Sequence, residues 1–132
     1  MPKKIDRLRF IEEMIARFPQ VKEEILDEDY AGSINLQMGV FKRFTQESID
    51  SNNTLLITAC FDFINSVFHT VTFDVENAII ITYLGHLNFL ENKDAERFLP
   101  ARLAEVTYSI KRYQNREPNE GIKQFLKSSE RE

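Results

Sequence analysis

Cysteine, glycine and proline are scarce in this chain of 132 residues, and each scarcity excludes a class of protein. The single cysteine, Cys60, excludes an internal disulfide and fits a reducing compartment. Four glycines and four prolines are too few for an all-β fold with many tight turns. We therefore expect a helical protein without cross-links.

Long hydrophobic runs are lacking as well. The charged N-terminal residues are followed by no apolar segment of the kind that a secretory signal requires. No stretch reaches the roughly 18 apolar residues of a membrane-spanning helix. These two absences predict a cytoplasmic protein that does not act in a membrane.

The chain does have ample material for a hydrophobic core. Hydrophobic residues make up 42% of it, and eleven residues are phenylalanine. There are 17 basic and 21 acidic residues, but residues 33–90 carry only two basic and five acidic ones. Because buried charge is costly, we expect the core in this middle part and solvated elements on either side of it.

Apolar residues recur at helical spacing along most of the chain, and polar caps and prolines divide the pattern into helices. Asp6 is predicted to cap a first helix that ends before Pro19 and buries Leu8 among others. A short helix follows Pro19, and Ser33 is predicted to cap the next one, which runs to about residue 50. Further helices are predicted over residues 54–69, 74–90 and 100–115, with the first two of these at the centre.

These elements predict an all-α fold, a compact antiparallel bundle of five to six helices. A short array of helical hairpins is the alternative. Residues 1–115 would form a single helical domain, and residues 116–132 a polar C-terminal tail that is either loose or adds one short docked helix. Gly39 and Gly85 fall inside predicted helices, where we expect them to permit close packing of neighbouring helices.

A polar stripe on the otherwise apolar 54–69 helix is the best candidate for a pocket. Asp62 and His69 lie two turns apart on this stripe, which is either the solvated edge of a buried helix or the lining of a small pocket. His86 falls on an apolar face of the next helix, so we expect a partly buried histidine. Asp62, His69 and His86 are the candidate pocket residues.

The same residues argue against a metal site and against covalent catalysis. His69 and His86 would lie roughly 18 Å apart along antiparallel helices, too far to share an ion. Cys60 falls on an apolar face, which favours a buried and inert thiol. No phosphate-binding glycine loop, nucleophile elbow or paired zinc motif is present. We therefore expect no metal, no cofactor and no enzymatic activity.

Two surface features are candidates for contact with a partner. Acidic residues crowd the end of the second helix, and Tyr108 is predicted to lie opposite the core stripe of the last helix with Arg112 one turn away. The candidate interface residues are Glu23, Glu24, Asp27, Glu28, Asp29, Tyr108 and Arg112. A net charge of −4 without a basic face makes nucleic acid an unexpected partner.

Several short stretches are similar to those of a known family. They are LQMGVF at 36–41, FTQ at 44–46, CFDF at 60–63, NA at 77–78 and YLGHLNF at 83–89. Over about residues 33–113 the chain resembles an uncharacterised bacterial family of small helical domains, in which we would expect a polar or acidic residue at the position of Gly85. The resemblance implies an all-helical fold and carries over no functional residue.

These observations favour a non-enzymatic protein–protein binding module. Small acidic helical proteins of this kind include immunity proteins and accessory proteins, which is an analogy of size and charge. The alternative is a small-ligand or enzymatic pocket lined by Asp62, His69 or His86. A homodimer formed through an apolar helical surface is a third interpretation.

Overall fold

The structure is a computed structural model that describes residues 4–115, without the side chains of residues 111 and 113–115. The predicted tail at 116–132 lies outside the described residues. In chain order the α-helices are α1 (Arg7–Arg17), α2 (Lys22–Ile25), α3 (Ile34–Asp50), α4 (Thr54–Val67), α5 (Phe73–Ala78) and α6 (Ala101–Asn115). Short 3-10 segments cover Pro19–Val21 and Lys93–Phe98, and a π-helix covers Ile79–Leu84. The described residues form no β-strand, so the all-α prediction is confirmed.

The starts of three helices follow from their capping residues. Oδ1 of Asp6 accepts the backbone N–H of Arg9 at 3.0 Å, as predicted. Oγ of Ser33 accepts the N–H of Leu36 at 3.2 Å, and Oδ1 of Asn53 accepts that of Leu56 at the same distance. Each bond satisfies one N–H that a helix start leaves without an intrahelical partner.

The fifth predicted helix is much shorter than its apolar pattern, and the prediction of a helix to about residue 90 is wrong. After Ala78 the backbone widens into the π-helix, in which the N–H of Gly85 bonds the carbonyl of Ile80 at 3.0 Å. The chain then leaves the helix at Gly85 and turns. Any prediction that assumed a continuous helix beyond Gly85, such as the apolar face assigned to His86, is therefore wrong.

Side-chain amides of Gln46 and Asn92 hold the connection that follows. Gln46 donates through Nε2 to the carbonyl of Asn88 at 2.9 Å and accepts the N–H of Asn88 through Oε1 at 3.0 Å. Asn92 donates through Nδ2 to the carbonyl of Ile49 at 3.0 Å and to Oδ1 of Asn52 at 2.9 Å. Residues 88–92 are thereby fixed to the C-terminal half of α3.

Helix α3 is the central helix of the described residues, because it contacts α2, α4, α5 and the π-helix. We predicted a central pair of helices at 54–69 and 74–90, and this arrangement is wrong. The reason is that α3 buries the polar residues Gln37, Thr45 and Ser48 as well as apolar ones. A buried helix with so many polar side chains has the sequence of an amphipathic outer helix.

Aromatic rings form the middle of the core around Phe41. The ring centroid of Phe41 lies 5.1 Å from that of Phe18, 5.9 Å from that of Phe63 and 5.4 Å from that of Tyr83. These separations are typical of favourable ring packing. The four side chains come from the end of α1, from α3, from α4 and from the π-helix, so this cluster joins all four segments.

Candidate functional site

The polar stripe on α4 is largely solvated. Asp62 and Ser66 are exposed, and Oγ of Ser66 donates to the carbonyl of Phe63 at 2.7 Å. Helix α4 ends at Val67, so His69 lies in the following turn, exposed, with its ring centroid 5.1 Å from that of Phe68. Asp62 and His69 therefore do not share one helical face.

His86 is exposed, and the expectation of a partly buried histidine is wrong. The cause is the early end of the helix, which removes His86 from the apolar face on which its spacing placed it. Its Nδ1 lies 3.0 Å from the carbonyl oxygen of Ile81, so the ring folds back over the π-helix. The structure places Asp62, His69 and His86 on solvated surface, and none of them lines the clefts described below.

A small polar cluster lies buried between α3, α4 and the π-helix. Oγ1 of Thr45 donates to the carbonyl of Phe41 at 3.0 Å and lies 2.9 Å from the hydroxyl of Tyr83. The thiol of Cys60 is buried beside Thr45, and burial raises its pKa to about 11. A thiol with so high a pKa is protonated at neutral pH and is a poor nucleophile, in agreement with the expected inert cysteine.

The predicted acidic interface residues cluster at α2 and the turn that follows it. Glu23, Asp27, Glu28 and Asp29 are exposed. Oδ1 of Asp27 accepts the N–H of Asp29 at 2.8 Å, which fixes the turn. We call Glu23, Asp27, Glu28 and Asp29 the acidic run.

Glu24, the remaining acidic residue of the prediction, has a partner on α3. Its Oε2 accepts a hydrogen bond of 2.6 Å from Nη2 of Arg43, and this bond raises the pKa of the guanidinium. Both side chains are about half exposed, so the pair adds little stability. The pair does join α2 to α3 and engages the guanidinium of Arg43.

An apolar cleft borders the acidic run. Leu8 of α1 and Leu26, the residue after α2, are 66% and 49% exposed and lie on its two sides. The cleft has a volume of about 290 Å³ and is lined by Arg7, Leu8, Ile11, Glu12, Ile15, Leu26, Ala31 and Gln37. We call it the Leu8–Leu26 cleft.

Tyr108 lies on a second surface, as predicted, 65% exposed on α6 with Arg112 also exposed. It lines a cleft of about 500 Å³ together with Glu96, Leu99, Ala101, Ala104, Glu105 and Thr107. We call this the Tyr108 cleft. Oγ1 of Thr107 is buried there and has no hydrogen-bond partner within residues 4–115.

Two residues of the Leu8–Leu26 cleft, Leu8 and Gln37, were not predicted to line a site. Leu8 fits the apolar spacing of α1 and was expected in the core, yet it is exposed because no element of the described chain covers it. Gln37 lies three residues after Ile34 and four before Phe41, which places an amide on the buried side of α3. A polar residue at a buried position of a helix, as Gln37 is, was the feature of the sequence that could have indicated this site.

No group of three or more His, Cys, Asp or Glu side chains in residues 4–115 is close enough to hold a metal ion. No helix in this part of the chain combines the length and the apolar character that crossing a bilayer requires.

The described chain is thus a small all-α domain whose surface carries open clefts, among them the Leu8–Leu26 cleft and the Tyr108 cleft. Residues 11–115 match the family described as Domain of unknown function (DUF7674), and the chain belongs to this family. The resemblance to an uncharacterised family is thereby confirmed over a longer stretch than the motifs indicated. No curated protein and no solved structure matches the chain.

Proposed function

We propose that this chain is a non-enzymatic protein-binding module that contacts its partner through the Leu8–Leu26 cleft and the acidic run. The observation that carries the proposal is the pair of exposed leucines on either side of one cleft, next to four exposed carboxylates. An apolar centre with a charged rim is the usual composition of a protein interface.

The charge of this surface supports a basic partner. The run carries four carboxylates against one exposed cation of α2, Lys22, and Arg43 of α3 is already bound to Glu24. Such a field attracts a positively charged protein and speeds its association. We further propose a bacterial, cytoplasmic role as an immunity-type or accessory protein, in which the basic partner is a toxin or an effector.

Affinity capture followed by reconstitution tests the proposal. The tagged chain is incubated with extract of its source cells at about 0.1 M salt, where surface charges still act over roughly 10 Å. We expect a protein that, once purified, forms a complex of defined stoichiometry with the chain in size-exclusion chromatography. Recovery of no stoichiometric partner from extracts of several growth conditions would contradict the proposal.

Charge reversal then locates the contact. The double substitution Glu23→Lys and Glu28→Lys removes two exposed carboxylates of the acidic run and is expected to weaken the complex strongly. The matched control is Glu91→Lys with Asp94→Lys, which reverses two exposed carboxylates outside this surface. Equal loss in both variants would indicate a general charge effect and not an acidic docking surface.

A further inference from the structure

We propose that the Leu8–Leu26 cleft receives one apolar side chain of a basic peptide segment in the partner protein, and that Oε1 of Gln37 accepts a hydrogen bond from that segment. This inference rests on the proposed function and adds the chemistry of the partner. Three independent features of the cleft carry it: an unsatisfied acceptor, its size and the charges on its rim.

The unsatisfied acceptor belongs to Gln37, which lines the cleft and is only 3% exposed. Its Nε2 donates to the carbonyl of Ile25 at 3.1 Å, and this bond fixes which end of the amide is occupied. Oε1 has no hydrogen-bond partner among the described residues. A buried carbonyl without a donor is unfavourable. Because Oε1 itself is buried, a ligand gains this hydrogen bond when it shifts the cleft wall enough to bring an N–H or O–H group to the atom.

The size of the cleft favours an inserted side chain over a cofactor. Its volume of about 290 Å³ lies at the lower edge of the roughly 300–1,000 Å³ that small-molecule pockets span, so there is little room for anything larger. Its walls include the aliphatic side chains of Leu8, Ile11, Ile15 and Leu26. A single aliphatic or aromatic anchor inserted between such walls is a common centre of a peptide interface.

The charges on the rim favour basic residues beside that anchor. Leu26 and Ala31 both line the cleft, and the turn between them carries Asp27, Glu28 and Asp29. Glu12 and Arg7 lie on the opposite side. With Lys22 and Glu23, which lie next to Leu26, the rim carries two cations against five carboxylates. Lysine or arginine residues flanking the anchor would complement this negative charge.

Selection from a displayed library of random 12-residue peptides tests the inference on the full chain. We expect enriched peptides to contain one Leu, Ile, Met, Phe or Trp with lysine or arginine within a few positions. Their affinity, measured by fluorescence anisotropy, should fall as the salt concentration rises, because the flanking contacts are exposed ion pairs. Enrichment of acidic or uncharged peptides would overturn the inference.

Matched leucine substitutions locate the binding. Leu8→Asp and Leu26→Asp should each weaken the selected peptide by at least about tenfold, as expected for a residue at the centre of an interface. Leu55→Asp is the control, because Leu55 is 84% exposed on α4 and lines neither cleft. All three leucines are exposed, so the variants should fold, which circular dichroism verifies. Equal affinity in the cleft variants and the control would overturn the inference.

The role of Gln37 has its own readout. In the unmodified chain, the side-chain amide resonances of Gln37 should shift on addition of the peptide, because Oε1 gains a donor. Gln37→Leu should weaken the peptide by at least about fivefold. Binding without any change at Gln37 in either measurement would refute the hydrogen bond, and this result does not depend on whether the variant folds.

The outcomes separate this inference from the function on which it rests. One outcome is a stoichiometric partner that binds Leu8→Asp and Leu26→Asp normally but binds Tyr108→Ala more weakly. This result would support a binding module whose contact is the Tyr108 cleft. If the chain instead forms a concentration-dependent dimer that Leu26→Asp abolishes, the occupant of the cleft is a second copy of this chain and not a peptide of a partner. Failure of both capture and selection removes the function together with the inference.

Discussion

The hydroxyl of Tyr83 donates a hydrogen bond of 2.9 Å to Oγ1 of Thr45, and both side chains are completely buried. The direction follows from Thr45, whose single hydroxyl proton is already given to the carbonyl of Phe41 at 3.0 Å. Tyr83 belongs to the π-helix and Thr45 to α3. The two hydrogen bonds, from Tyr83 to Thr45 and from Thr45 to Phe41, thus lie at the centre of an otherwise apolar contact between the π-helix and α3.

The two partners of this bond should differ in what their loss costs. Tyr83→Phe leaves Thr45 bonded to Phe41, so we expect the free energy of unfolding to fall by about 0.5–1.5 kcal/mol. Thr45→Val leaves the buried Tyr83 hydroxyl without an acceptor and should cost about 1–3 kcal/mol. Urea unfolding measures both values. The free energy of unfolding of the double variant should fall by less than the sum of the two single losses. Strictly additive losses would show that the bond between the two side chains contributes nothing.

Cys60 and Tyr83 should make the fold sensitive to alkali. Burial raises the pKa of the Cys60 thiol to about 11 and that of the Tyr83 hydroxyl well above its usual value near 10. The unfolded chain therefore releases these protons at lower pH than the folded chain, so rising pH favours unfolding. Stability from these groups is fully present below about pH 8.5, where the thiol of the unfolded chain is still protonated.

Unfolding measured in urea between pH 7 and 11 tests this dependence. Above about pH 8.5 the free energy of unfolding should fall with a slope approaching roughly 1.4 kcal/mol per pH unit for each group that ionises only in the unfolded chain. Cys60→Ala should remove the first part of the decline, and Tyr83→Phe the part that begins near pH 10. A wild-type slope that both variants retain would mean that neither group titrates differently on unfolding.

Local signals in the sequence predicted two helix starts correctly. Asp6 and Ser33 cap the helices that they were predicted to cap, because a cap depends on bonds within four residues. The same locality explains the predictions that were wrong. The place of α3 and the path of the chain after Gly85 involve contacts between residues far apart in sequence, such as those of Gln46 with Asn88 and of Asn92 with Ile49, more than 40 residues apart.

The candidate sites divide in the same way. Exposure of Tyr108 and of the acidic run follows from helical spacing and charge, and it was predicted. The Leu8–Leu26 cleft was not, because its walls come from α1 and the α2–α3 connection, which spacing within one helix cannot bring together. His86 was placed wrongly because the helix ends at Leu84, before this residue, which single-sequence spacing did not indicate.

Gly85 and Gly39 should respond in opposite directions to alanine. A Cβ on Gly85 would lie 2.5 Å from the carbonyl oxygen of Ile81 and 3.2 Å from that of Ile80, and backbone atoms cannot move aside cheaply. We expect Gly85→Ala to destabilise the fold by roughly 1–3 kcal/mol, from strain at the end of the π-helix. Thermal and urea unfolding both report this change.

Gly39 is the matched control in the middle of α3. A Cβ there meets nothing within 4 Å, so the expectation of close helix packing at this glycine is wrong. Gly39→Ala should stabilise the protein by about 0.5–1 kcal/mol, since alanine loses less backbone freedom in a helix. The account of Gly85 fails if both substitutions shift the unfolding midpoint in the same direction.

The pair of hydrogen bonds between Gln46 and Asn88 should control the order of residues 85–92. Gln46→Ala removes both bonds and leaves the N–H and carbonyl of Asn88 to water, so we expect a loss of about 1–3 kcal/mol and faster hydrogen exchange at the Asn88 N–H. Gln46→Glu removes only the donor side of the amide. A carboxylate still accepts the Asn88 N–H and so retains part of its protection from exchange, but it loses the bonds that Nε2 donates to the Asn88 carbonyl and to Oδ1 of Asp50. The expected order of protection is therefore wild type, then Gln46→Glu, then Gln46→Ala. Equal protection in all three would mean that Leu87 and Phe89, both buried, hold this segment without the amide.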